Sequence, residues 1–132
     1  MKVDGKQLFD LARREGGFSI RHDGSVPTEC FAVSQVGYEM AVKFNEFSSI
    51  PTLIEIYADM YDRQIRTGDR LLGGWIDKGT NTFYLDVSDV VNSLRLALQL
   101  GRERGQIAVF GLGDGELYYC DPPDDYKEIF GI

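Results

Sequence analysis

Gly73-Gly74-Trp75-Ile76-Asp77, a polar break through Asn81, then Phe83-Tyr84-Leu85-Asp86-Val87-Ser88 is the stretch that decides the fold. Two apolar runs flank Asp77-Lys78-Gly79-Thr80-Asn81, the pattern of a β-hairpin. After Ser88 the apolar spacing changes from two to 3.6, placing Val90, Val91, Leu94, Ala97, Leu98 and Gly101 on one side of a helix. Ser88 is expected to cap that helix, with Asp89 near its positive end, Arg102 and Arg104 in its last turn and Gly105 as its stop. Spacing two then returns in Gln106-Ile107-Ala108-Val109-Phe110 and Leu117-Tyr118-Tyr119-Cys120, around a Gly113-Asp114-Gly115 turn. The step from Leu85 to Val109 leaves room for one parallel pairing through a right-handed crossover.

Towards the amino terminus, Asp4 is the natural cap of a helix over residues 5–15, with Leu8, Leu11, Ala12 and Glu15 on one side and Gly16-Gly17 as its stop. Phe18-Ser19-Ile20-Arg21, Cys30-Phe31-Ala32-Val33-Ser34 and residues 38–44 read as strands. Ser49 precedes Ile50-Pro51, and Leu53, Ile56, Tyr57, Met60, Tyr61 and Gln64 or Ile65 follow at helical spacing. Asp59–Arg63 and Asp62–Arg66 are expected i,i+4 pairs on that helix. The order of elements predicts an α+β two-layer domain: a mostly antiparallel sheet covered by about three helices. At 132 residues this is one domain, with residues 121–132 as an acidic tail.

The composition narrows the function. A hydrophobic fraction of 43% excludes a disordered chain, and no apolar run reaches the length of a membrane span. Residues 1–6 lack the apolar core of a secretory signal, so a soluble protein of the host-cell cytoplasm, with thiol rather than disulfide cysteines, is expected. The net charge of −7 is uneven: residues 106–132 hold six acids and one base, or −5, and the preceding 105 residues hold fifteen acids and thirteen bases, or −2. No basic cluster is present to displace the counterions of nucleic acid. A protein partner with a basic surface fits this charge better.

Candidate chemistry is sparse. Gly111-Leu112-Gly113-Asp114-Gly115 resembles a phosphate cradle, but it runs into a strand rather than a helix and reads as a hairpin turn. Asp77 and Asp86 are residue types for general acid–base work, although Asp77 falls in a turn and Asp86 is expected to alternate outward. His22 is the sole histidine, and with Cys30 and Cys120 it has no metal-ligand spacing, so neither metal nor cofactor is expected. A nucleotide-using transferase of the ADP-ribosyltransferase kind is the enzymatic alternative, near His22, Asp77 and Asp86 or with Arg21, Ser34 and Glu116 in its roles. A homodimer that adds edge strands is the structural one. In the tail, Tyr126, Ile129 and Phe130 fall within one helical turn, among Asp121, Asp124, Asp125 and Glu128.

Gly17-Phe18-Ser19-Ile20, Gly24, Pro27-Thr28, Ala32-Val33-Ser34, Gly73-Gly74-Trp75, Tyr84-Leu85-Asp86-Val87-Ser88, Ala97 and Gly105-Gln106-Ile107-Ala108-Val109-Phe110 together resemble small accessory proteins of phages and plasmids, chiefly of actinobacteria. The likeness spans residues 17–117, and some such phage proteins are anti-CRISPR factors. It implies a mobile-element origin and carries no functional residue with it. With the charge, it leads to the expectation of a non-enzymatic inhibitor that occupies a cationic surface of a host defence complex. The expected contacts are Asp121, Asp124, Asp125, Tyr126, Glu128 and Phe130, with Asp114 and Glu116 as rim.

Overall fold

Asp4 opens the first helix, α1 (Gly5–Glu15), by accepting the Gln7 amide on Oδ1 at 3.1 Å. Gly16 closes it at φ 94°, a left-handed conformation that glycine adopts without a Cβ clash. Gly5, Leu8, Phe9 and Ala12 are its buried residues, so Phe9 is a core ring that a stripe through Leu8, Leu11, Ala12 and Glu15 leaves out. The computed structural model describes residues 1–45 and 49–120. Asp121, Asp124, Asp125, Tyr126, Glu128 and Phe130 lie outside the described residues.

Strands β1 (Gly17–Ile20), β2 (Phe31–Ser34) and β3 (Met40–Lys43) precede two short helices, α2 (Ile50–Met60) and α3 (Asp62–Thr67). Strands β4 (Leu71–Asp77) and β5 (Thr82–Val91), helix α4 (Leu94–Glu103) and strands β6 (Ala108–Gly111) and β7 (Leu117–Tyr119) follow. The expected α+β class holds, with four helices among the described residues. The single helix expected after Ser49 breaks at Tyr61, and its buried residues are Ile50, Ile54, Tyr57 and Ala58, while Ile56 and Met60 are exposed. Asp62 pairs with Arg66 at 3.0 Å as expected, whereas Asp59 instead lies 3.6 Å from the Met1 ammonium.

The largest correction falls at Ser88. It does not cap a helix: β5 continues through it to Val91, and Ser93 caps α4 by accepting the Leu96 amide at 3.4 Å. Val87-Ser88-Asp89-Val90-Val91 is rich in β-branched residues, which favour a pleated strand. Tertiary pairing then decides it, because Leu71 and Ser34 both lie opposite Ser88.

All the strand pairings are antiparallel, in the order β1-β4-β5-β2-β6-β7, so no parallel pairing forms through α4. Strand β2 sits between β5 and β6 and takes the place a crossover would have filled. Strands β2 and β3 share one edge of β5, β3 against residues 82–85 and β2 against residues 88–91.

Alternation along the strands sorts the sheet into two faces. Phe18, Ile20, Leu72, Phe83, Leu85 and Val87 face α1, α2 and α3 in one core. Val33, Val109 and Cys120 face α4 in a second, on the same side of the sheet. Gly101 of α4 makes the second core possible: a Cβ there would sit 2.5 Å from Cys120 Sγ. Asp89 stands at the junction of the two cores, bound by Arg70 Nε at 3.0 Å, Arg104 Nη2 at 2.5 Å and Gln35 Nε2 at 3.0 Å. The other face carries no helix among the described residues.

Candidate functional site

The helix-free face includes, from the second set of alternating residues, Leu71, Gly73 and Trp75 on β4, Tyr84, Asp86 and Ser88 on β5, Ser34 on β2, Lys43 on β3, Phe110 on β6 and Leu117 and Tyr119 on β7. Three features lie on it. The first is an aromatic pair, Trp75 stacked on Tyr84 with ring centres 4.2 Å apart and planes 11° from parallel. Trp75 is 45% exposed, which leaves ring surface open to solvent.

The second feature is central. Ser34 Oγ donates to Asp86 Oδ2 at 3.2 Å and Ser88 Oγ donates to Oδ1 at 3.1 Å. Gly73 lies opposite Asp86 on β4, and a Cβ there would come within 2.3 Å of Oδ1, so the carboxylate rests where a side chain would otherwise stand. Burial pushes the Asp86 carboxyl above its ordinary range; the two serine hydroxyls pull it down in part, and the charge of Glu39 pushes it up further. Among the described residues no cation pairs with it.

The third feature is the β6–β7 hairpin. Phe110, Leu117 and Tyr119 are all exposed on this face, Leu117 at 58% and Tyr119 at 61%. Val109 and Tyr118, on the opposite side of the same hairpin, face the core of α4. Asp114 and Glu116 stand exposed at its turn. Asp114 Oδ1 accepts the Glu116 amide at 2.9 Å and Oδ2 accepts the Tyr118 hydroxyl. The Tyr118 hydroxyl and then the Glu116 amide hold the Asp114 carboxyl below its ordinary value, so it stays charged.

The remaining expected residues scatter. Asp77 closes its own turn by accepting the Gly79 amide at 2.9 Å. It lies four residues along β4 from Gly73, the partner of Asp86, or roughly 13 Å at the usual rise of a strand. His22 is exposed, and among the described residues no hydrogen bond or ion pair joins it to Asp77 or Asp86. Arg21 reaches Ser25 at 3.5 Å, Ser34 reaches Asp86, and Glu116 stands at the β6–β7 turn, so the three do not form a common site. Cys120 is buried, whereas Cys30 is half-buried and holds φ 77° at the entry to β2. No three His, Cys, Asp or Glu side chains are grouped to hold a metal among the described residues. No helix among them is long and apolar enough to cross a membrane.

The Trp75–Tyr84 stack and the setting of Asp86 are not among the features expected from the sequence. The signal was present: period two continues from Phe83 through Val91, which places Tyr84, Asp86 and Ser88 together on one face. In comparisons with known proteins, no family model, curated protein or solved structure matches this chain.

Proposed function

We propose that this chain is a non-catalytic binding module whose helix-free sheet face takes a cationic protein surface. The observation that carries the reading is the β6–β7 hairpin, where Phe110, Leu117 and Tyr119 project together beside the exposed carboxylates of Asp114 and Glu116. Exposed rings within a charged rim are the anatomy of a protein interface: the apolar centre slows release and the rim speeds encounter. The acids Asp121, Asp124, Asp125 and Glu128, which follow β7 in sequence, add negative charge to the same end of the chain. With the likeness to small phage proteins, the partner to test first is a defence complex whose basic surface holds nucleic acid. Occupying that surface excludes the nucleic acid and inhibits the complex.

The test is competition. A CRISPR effector complex bound to fluorescent target DNA is titrated with the protein at 50 and 300 mM salt. The expected result is release of the DNA, weaker at the higher salt, at stoichiometric rather than catalytic doses. Replacing Asp114, Glu116, Asp121, Asp124, Asp125 and Glu128 by neutral residues weakens binding and flattens its salt dependence. Equal affinity at both salts, or activity at strongly substoichiometric doses, rules the reading out.

A further inference from the structure

We propose that Asp86, held between Ser34 and Ser88, is the seat of a guanidinium group at the centre of the helix-free face. The inference rests on the reading of that face as a surface for cationic proteins and names the group that anchors there.

A carboxylate offers about four lone-pair positions. Two at Asp86 are met by the serine hydroxyls, both long at 3.2 and 3.1 Å, and neither supplies a charge. Desolvating an anion costs free energy unless a cation or strong donors compensate it. Nearby charge does the opposite here, because Glu39 repels Asp86. The arginines that reach the same strand are engaged elsewhere: Arg70 and Arg104 both bind Asp89, on the opposite face. Asp86 is thus a partly buried carboxyl group without a cation among the described residues, on the side of the sheet that carries no described helix. A neutral side chain would relieve the cost, and an unrelieved cost of this kind marks functional sites.

The chemistry of the surroundings selects a planar cation. A guanidinium donates two parallel hydrogen bonds to a carboxylate, and such charge-assisted bonds are about twice as strong as neutral ones. Trp75 and Tyr84 stand one pleat period along the same face, about 7 Å away at the usual strand rise, with exposed ring surface. Guanidinium groups stack on such rings, whereas an ammonium is a compact and strongly hydrated charge.

The experiment reads the site directly. The Asp86 side-chain carboxyl carbon and the Ser34 and Ser88 amides are followed by NMR while N-acetyl-arginine amide is added, with N-acetyl-citrulline amide as its neutral isostere and sodium chloride as the ionic control. The expected result is a saturable shift with the arginine compound alone, lost at the serine amides in Asp86→Asn and weakened in Ser34→Ala. No saturable shift, or an equal one with citrulline, overturns the proposal. A second measurement separates it from the broader reading. Affinity for a deca-arginine peptide is expected to fall at least about tenfold in Asp86→Asn, the loss typical of a hydrogen bond to a charged group. If Tyr119→Ala weakens the peptide and Asp86→Asn does not, the seat is overturned and the surface stands; if the unaltered protein ignores the peptide, both fail.

Discussion

Arg104 is bound to Asp89 by one guanidinium nitrogen, at 2.5 Å, and by another to the Val33 and Ser34 carbonyls, at 3.2 and 3.1 Å. It thereby ties the end of α4 to β5 and to β2. Arg70 reaches the same carboxylate from the start of β4 and also binds the Gln64 carbonyl at 3.0 Å. One acid therefore joins the elements around both cores.

Removing either end of that tie leaves a desolvated charge or exposed carbonyls. Arg104→Ala and Asp89→Ala are each expected to cost about 2–3 kcal/mol, the range for breaking a partly buried charged hydrogen-bond network. Urea unfolding checks this, with the midpoint falling and the slope unchanged.

Acid distinguishes Asp89 from its surroundings. Burial alone would raise its carboxyl, but hydrogen bonds from Gln35, Arg104 and Arg70 outweigh that and hold it below the ordinary value. A depressed acid contributes stability above its unfolded pKa, about 3.9, and loses it as pH falls through the folded value. Unfolding free energy measured from pH 6 down to pH 2 should drop less steeply in Asp89→Asn than in the unaltered protein.

Asp86 has the opposite sign. Its raised carboxyl means the folded state holds the proton more tightly than the unfolded chain. Its contribution is full below the unfolded value and is lost as pH rises through the folded one. Asp86→Asn is therefore expected to stabilise the protein at pH 7, and by less at pH 4, as read from urea midpoints at the two pH values. Equal effects at the two pH values would show that burial does not act on this carboxyl.

Gly101 and Cys120 form a testable pair. In Gly101→Ala the new Cβ meets Cys120 Sγ at 2.5 Å and Val109 Cγ1 at 3.1 Å. Overpacking of this kind costs about 1–3 kcal/mol, against roughly 1 kcal/mol gained in helix propensity. Cys120→Ala should remove most of the clash, so a double-mutant cycle is expected to show coupling in which the second change partly rescues the first.

The two serines near α4 separate by role. Ser93→Ala is expected to lose about 0.5–1 kcal/mol through the missing cap, with faster hydrogen exchange at the Leu96 amide. Ser88→Ala leaves that exchange unchanged and pushes the Asp86 carboxyl further up, because it removes a donor.

Local chemistry made much of this legible. Asp4 and Gly16 mark α1 in the sequence as clearly as in the structure, and both hairpins follow from period two and their turn residues. The misreadings arose where tertiary contacts outweigh local pattern. Ser88 is an excellent cap residue, yet pairing with both Leu71 and Ser34 keeps it in a strand. Ile56 and Met60 fit a helical stripe, but Ile54 and Ala58 are the residues turned to the core. Asp86 was visible as an outward-alternating acid; its burial depends on Gly73 and Ser34, which are distant in sequence.

Strand β2 has a kinetic consequence. Its four residues connect the half of the sheet that carries α1 and α2 to the half that carries α4. Its partners lie more than fifty residues downstream, so closing this seam requires large loops and is expected to come late in folding. Native-state hydrogen exchange is expected to show α4 and the β6–β7 hairpin opening at this seam together, ahead of the larger half.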